Sequence, residues 1–155
     1  GSVPPARWTE RNDGWRPYPE EASGGVVTDA PALLYALGAA PLAKAGDRWD
    51  ILVFSRRQVH RVTATVAGDT TVAADFQERA AAGATRRKGK LPALRVKLAS
   101  APVGTPDDDD QFALLGMTGG IEVALDPASR VPLQLSGDAP YLGKVTFRLK
   151  AATLR

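Results

Sequence analysis

A short turn between two strand-like segments constrains the fold of this chain more than any other feature. Residues 126–135 read Asp-Pro-Ala-Ser-Arg-Val-Pro-Leu-Gln-Leu. Asp126 is placed to accept hydrogen bonds from the backbone two or three residues on, and Pro127 sets φ for the second turn position. Pro132 has no N–H to donate, so it belongs at a sheet edge or at a strand start. The pattern predicts two strands joined by a structural turn, in which Arg130 pairs with Asp126.

From Arg48 onward, apolar and polar residues alternate with a period of two, which is typical of strands with one solvated face. Residues 49–54 and 58–66 predict a hairpin. Further strands are predicted at residues 70–74, 93–98, 120–125, 131–136 and 143–150. Residues 78–90 contain little except Ala, Gly and charged side chains, and we predict a loop there.

One short helix is predicted before the strands. Thr28 or Asp29 can cap it, Pro31 suits its first turn, and Gly38 ends it. One helix followed by seven short strands predicts a mainly β fold, a curled antiparallel sheet that forms a partial barrel or a sandwich. We predict a Pro-rich arm over residues 1–25 and a single β-rich domain over residues 26–155.

Composition excludes several classes of function. Cysteine is absent, which rules out disulfides, thiolate metal sites and cysteine nucleophiles. Lys and Arg exceed Asp and Glu by 20 − 17 = 3, a mildly basic balance that permits anionic ligands without selecting one. No apolar run approaches the ~20 residues that span a bilayer, so we expect no transmembrane segment. No phosphate-binding or nucleophile motif is present, and we expect no cofactor and no metal.

The order of several short motifs resembles a known family. These are Ala32-Leu33-Leu34-Tyr35-Ala36-Leu37, then Gly46-Asp47, the hairpin to Gly68, and the turn with Asp126, Arg130 and Pro132. Over residues 28–150 the chain resembles the domain-of-unknown-function family numbered 3108, although the first strands of the family pattern are missing. Members are mostly exported bacterial envelope proteins without assigned chemistry. The resemblance implies a location in the periplasm or cell envelope, and the Gly1-Ser2 start is typical of a cloning remnant that replaces a native leader.

The residues most often used in catalysis have structural interpretations here. His60, the single histidine, lies in the apolar register of a strand, where we expect a packed residue rather than a general base. Asp107 to Asp110 lack the alternating spacing of a calcium loop, and we expect a solvated bend. A catalytic role for an Asp126–Arg130 pair is the weaker alternative to a structural role of both residues in the turn.

Basic and aromatic side chains supply the candidate ligand contacts. Arg86, Arg87, Lys88 and Lys90, with Arg79 nearby, form the densest positive cluster. The polar side of the first hairpin adds Arg56, Arg57 and Arg61, and the aromatic candidates for a sugar or lipid surface are Trp15, Tyr18 and Trp49. No aromatic residue is interleaved with the basic cluster to stack bases, so nucleic acid is not expected.

Two functions from different classes follow. In the first, the chain is a non-catalytic, envelope-associated β-domain that binds a protein partner, a glycan or a lipid. In the second, it is a hydrolase or lyase of envelope polysaccharide that uses acidic residues such as Asp47, Asp50, Glu78 or Glu122, two of which would have to face one cleft ~5–10 Å apart. An uncovered sheet edge would also allow strand donation from another chain.

Overall fold

The computed structural model of the chain describes residues 7–8, 15–16, 27–56, 58–104 and 111–154. Over these residues the fold is mainly β with one short helix, as predicted. The elements are β1 (Arg7–Trp8), β2 (Trp15–Arg16), β3 (Val27–Asp29), α1 (Ala30–Ala39), β4 (Arg48–Ser55), β5 (Gln58–Ala80), β6 (Gly83–Pro102), β7 (Gly119–Leu125), β8 (Pro132–Ala139), β9 (Gly143–Arg148) and β10 (Ala151–Thr153).

Eight strands form one mixed sheet, in the order β3-β4-β5-β6-β7-β8-β9, with β10 paired to β5 outside that path. The pairs from β4 to β9 are antiparallel, whereas β3 with β4 and β10 with β5 are parallel. Parallel neighbours need a crossover connection, and α1 supplies the one between β3 and β4. The expectation of a wholly antiparallel sheet is therefore corrected, and the sheet is not closed into a barrel. Strands β1 and β2 pair separately within the predicted arm.

Helix α1 begins as the sequence predicts. Asp29 is its N-cap and accepts a hydrogen bond from the Ala32 N–H at 2.8 Å. Leu33 and Leu37 share one face and are fully buried in the main core. The helix continues to Ala39, one residue beyond the predicted end at Gly38. At Gly38, the absence of a side chain allows the backbone of Arg130 to approach closely. A Cβ at Gly38 would lie 3.0 Å from the backbone oxygen of Arg130.

Strands β5 and β6 form one hairpin of 23 and 20 residues. Their pairing runs from His60–Pro102 to Ala80–Gly83. The hairpin merges the predicted strands 58–66 and 70–74, and it passes through residues 78–90, so the loop predicted there is wrong. Small and charged residues have low intrinsic strand propensity, but pairing with a long neighbour overrides that preference.

A bulge between Val66 and Gly68 reverses the side of the sheet that the hairpin buries. One extra residue in a strand moves every later side chain to the opposite face. Ala93 and Leu94 mark the reversal on β6, because successive strand residues point to opposite faces and these two belong to different clusters. Gly68 has φ 138°, a conformation that favours glycine.

The described residues form three apolar clusters, of which the smallest consists of Val59 and Val103. The main core lies between α1 and the sheet, and it contains, among others, Leu33, Leu37, Val53, Val62, Val96, Leu114, Met117, Val123 and Leu125. The second cluster joins the far half of the hairpin to β7 and β8 through Val72, Phe76, Ala93, Ala124 and Leu133. Of the three clusters, only the main core includes residues of the helix.

The turn at residues 126–132 confirms part of its prediction and corrects another part. The carboxyl of Asp126 accepts the Ser129 N–H at 2.7 Å and the Ser129 hydroxyl at 2.8 Å, and Pro132 begins β8. Arg130, however, does not pair with Asp126. Its guanidinium donates to the carbonyl oxygens of Gly38, Ala40 and Leu42, in the last turn of α1 and just beyond it, because its position beside Gly38 brings it to that helix terminus.

Candidate functional site

The outer side of the far hairpin carries a row of exposed cations. Arg86, Lys88 and Lys90 occupy alternate positions of β6 and therefore point to one face. Their partners on β5 are Gln77, Asp75 and Ala73. Arg79, also exposed, shares this face from β5. We name the set Arg79, Arg86, Lys88 and Lys90 the cationic face.

One carboxylate orders this row without neutralising it. The Arg86 Nε and Nη2 donate to the two carboxyl oxygens of Asp75 at 2.7 and 2.8 Å, a bidentate pair. The hydrogen bonds from Arg86 are the main reason that the pKa of Asp75 lies below its usual value. The positive charges of Arg86, Lys88 and Lys150 lower it further. The hydrogen bond to Asp75 also raises the pKa of Arg86. Asp75 therefore stays ionised at neutral pH.

Lys150 joins the surface through long-range pairing that the sequence does not reveal. The Gln77 N–H donates to the Lys150 carbonyl at 3.0 Å, and β10 continues beside β5. The proximity of the Lys150 ammonium contributes to the lowered pKa of Asp75. The cationic face and Lys150 together comprise five positive side chains, and three of them, Arg86, Lys88 and Lys150, act on the Asp75 carboxylate.

Arg87 belongs to the opposite face, although the sequence groups it with its neighbours. Its Nη1 lies 3.3 Å from the Glu78 carboxylate and its Nη2 lies 3.6 Å from that of Asp126. Its guanidinium also lies 5.8 Å from the centre of the Phe76 ring. The side chains of Arg87 and Glu78 are only 28% and 20% exposed. Arg87 therefore links the hairpin to the 126–132 turn inside the fold, and it does not contribute to the cationic face.

The other predicted basic contacts lie far from the cationic face. Arg56 is exposed in the connection between β4 and β5, with φ 48°. Arg61 is exposed on β5, sixteen residues before Gln77, which corresponds to roughly 50 Å along an extended strand. The structure does not bring these two groups together. Arg57 lies outside the described residues.

The aromatic candidates do not form a platform in the described part of the chain. Trp49 is half-buried, pairs with Ala64 and packs against the main core. The backbone of Trp15 is in β2, paired with Trp8, and Tyr18 lies outside the described residues. The aspartate run at 107–110 lies outside them as well.

His60 is a packed residue, as predicted. It is 2% exposed, and its ring meets that of Phe112 edge-on with centroids 5.7 Å apart. This environment explains why a polar ring occupies the apolar register of β5.

The acidic residues considered for hydrolysis are dispersed or engaged. Asp47 accepts the N–H groups of Ala43 and Lys44 at 2.8 and 2.9 Å, which lowers its pKa and closes a turn. Glu78 is held by Arg87. Asp50 on β4 and Glu122 on β7 are separated by two intervening strands, which corresponds to roughly 14 Å along the sheet. That separation exceeds the spacing of glycosidase carboxylates.

An open groove of about 1050 Å³ lies between α1, the 126–132 turn and the chain around β10. Leu34, Val131, Leu149 and Leu154 make much of its lining apolar. Arg130 is the only charged residue among the groove residues that the structure describes, and its guanidinium is directed to the helix carbonyls.

Within the described ranges, no group of three or more His, Asp or Glu side chains is arranged to hold a metal ion. The helix in the described part of the chain is too short to cross a membrane.

Comparisons with models of protein families, with curated proteins and with solved structures give no match for this chain. The resemblance to family 3108 therefore stays a prediction that rests on the motifs.

Proposed function

We propose that this chain is a non-catalytic binding domain for an acidic glycan of the cell envelope. The observation that supports the proposal is the cationic face, where Arg86, Lys88 and Lys90 follow one another on a single exposed side of β6. Alternate strand residues are ~7 Å apart, so the row presents regularly spaced positive charges. A polymer that repeats its anions along its length matches such a row better than a single headgroup does.

The location rests on the family resemblance, which favours the periplasm or cell envelope. Linear acidic polymers are available as ligands to an exported domain, and a strand surface can bind them without a deep pocket. Asp75 has a positioning role in this proposal, because its bidentate bond holds Arg86 in line with the lysines. Nucleic acid is not proposed, since the described part of this face carries no aromatic side chain for stacking.

A binding measurement with alginate, a linear polyuronate, tests the proposal. The Lys88→Gln/Lys90→Gln variant removes two exposed cations from the face, and we expect an affinity loss of about tenfold. The matched control is Arg95→Gln/Lys97→Gln, which removes two exposed cations at the same spacing from the opposite face of β6. It should bind as the unmodified protein does, and neutral dextran should not bind either protein.

Three results would contradict the proposal. Equal losses in both variants would show that only net charge matters. Binding to phosphatidylglycerol vesicles but not to alginate would indicate that the ligand is an anionic lipid and not a glycan. Release of new reducing ends from alginate during incubation would favour the hydrolase alternative.

A further inference from the structure

Strand β9 leaves one edge of the large sheet open. It is the last strand in the sheet order, and it pairs with β8 from Gln134–Arg148 to Ala139–Gly143. No described residue pairs with its other side. An edge of this kind presents unpaired backbone N–H and C=O groups, which an extended segment can complete.

The hairpin that ends in β9 also exposes large apolar side chains. Tyr141 is 107% exposed, Leu142 is 78% exposed and Phe147 is 45% exposed. These are three of the five exposed large hydrophobic residues in the described part of the chain. Charged side chains, proline or bulges typically protect an edge from association, and β9 carries Lys144 and Arg148, but large exposed apolar side chains are not among these protective features. A concentration of apolar groups beside the edge instead indicates a contact surface.

The charges on β9 select the kind of segment that fits. Lys144, Thr146 and Arg148 alternate on one face, and Val145 and Phe147 alternate on the other. A strand added to this edge would place its own residues directly opposite these two rows. Acidic residues would match the first row, and apolar residues would match the second.

A second copy of the chain does not satisfy this pattern. Antiparallel pairing of two β9 strands centred on Thr146 would place Lys144 opposite Arg148 of the copy. Parallel pairing in register would place Lys144 opposite Lys144. Like charges directly opposite one another destabilise a ladder, so these two registers are disfavoured, and β9 carries no acidic residue that could face Lys144 and Arg148 in any register.

We propose that β9 receives an extended segment of a partner protein, in which acidic and apolar residues alternate. The segment adds a strand to the sheet: its backbone bonds to the free edge, its carboxylates face Lys144 and Arg148, and its apolar side chains face Val145 and Phe147. Tyr141 and Leu142 lie at the β8–β9 turn, where they contact the end of the segment. This interaction is independent of the proposed glycan binding.

Blocked eight-residue peptides of alternating Glu and Val provide the probe, with alternating Lys and Val as the comparison. The unmodified protein should bind the Glu/Val peptide, prefer it to the Lys/Val peptide, and show slower amide hydrogen exchange in β9. The Lys144→Glu/Arg148→Glu variant should reverse the preference. Both side chains are exposed, and circular dichroism verifies that the variant is folded.

The Lys88→Gln/Lys90→Gln variant separates this surface from the cationic face, and its affinity for the Glu/Val peptide should be unchanged. Loss of peptide binding in that variant would overturn the inference. Failure of the Glu/Val peptide to bind, slower exchange outside β9 only, or an unreversed preference would overturn it too. None of these results depends on whether alginate binds.

Discussion

At the scale of single residues, Arg130 shows how one side chain joins distant parts of the chain. Its guanidinium donates to the carbonyls of Gly38, Ala40 and Leu42 at 3.3, 3.1 and 2.6 Å. The last carbonyls of a helix have no partner within the helix. Arg130 satisfies one of them, that of Gly38, and also binds the carbonyls of Ala40 and Leu42 just beyond the helix. These partners lie 88 to 92 residues away, so Arg130 fixes the turn against the end of α1.

We expect Arg130→Ala to lower the free energy of unfolding by about 2–4 kcal/mol, because three charge-assisted hydrogen bonds are lost and part-buried carbonyls remain. Urea unfolding measures the change. Arg130→Lys is the control: it keeps the charge but cannot reach three acceptors with one planar group, so it should recover less than half of the loss. Full recovery by lysine would show that charge alone matters.

Asp126 predicts a pH dependence of stability. Burial raises the pKa of its carboxyl, but the hydrogen bonds from Ser129 and the charge of Arg87 outweigh burial and leave the pKa below its usual value. A pKa lowered by folding stabilises the protein above the unfolded value of about 3.9, and the benefit is lost as the pH falls through the folded value. The ionised carboxyl therefore stabilises the fold at neutral pH.

The Asp126→Asn variant, which cannot ionise at this position, tests the predicted pH dependence of stability. At pH 6 the variant should be less stable than the unmodified protein, and the difference should shrink as the pH falls from about 5 toward 2. Chemical unfolding at several pH values measures both free energies. A difference that stays constant over this range would show that the ionisation of Asp126 does not contribute.

At the scale of elements, the long hairpin depends on the bulge at Val66 and Gly68. Gly68→Ala should destabilise the fold by about 1–3 kcal/mol, because a side chain at φ 138° is strained even though a Cβ would meet no atom within 4 Å. Gly119→Ala is the control, since its Cβ would lie 4.0 Å from the Asp138 carboxylate, an ordinary contact, and its φ is not positive. Thermal unfolding compares them, and equal shifts would rule out backbone strain at Gly68.

Local patterns predicted some elements well and failed for others for physical reasons. The Asp29 cap and the strand start at Pro132 both depend on neighbouring residues, and the structure confirms them. The far half of the hairpin was missed because its Ala, Gly and charged residues have low strand propensity on their own. Its alternation, Arg86, Lys88 and Lys90 on one side, was the signal available in the sequence.

Partners that lie far apart in sequence explain the rest of the difference. Spacing suggested that Arg130 pairs with Asp126, four residues earlier, whereas the structure shows Arg87 near Asp126 and Arg130 at the helix end. Lys150 joins the cationic face only because β10 pairs with β5. Such contacts depend on topology, which local patterns do not specify.

At the scale of the whole molecule, the two larger apolar clusters share one sheet but differ in size. The main core holds seventeen buried residues, whereas the second cluster holds five. Local opening costs least where few apolar contacts are buried. The far hairpin, together with β10, should therefore open more readily than the strands that cover α1.

Phe76→Ala tests this difference, because Phe76 is 2% exposed and belongs to the second cluster. We expect amide hydrogen exchange to accelerate in residues 72–91 and in β10, while the amides of Val53, Val62 and Val96 in the main core change much less. Truncation of a buried Phe typically costs about 3–5 kcal/mol, which is enough to open a small cluster locally. Leu37→Ala in the main core is the matched variant and should accelerate exchange throughout. If Phe76→Ala accelerated all regions equally, the two clusters would unfold as one cooperative unit, and the cationic face would be as rigid as the core.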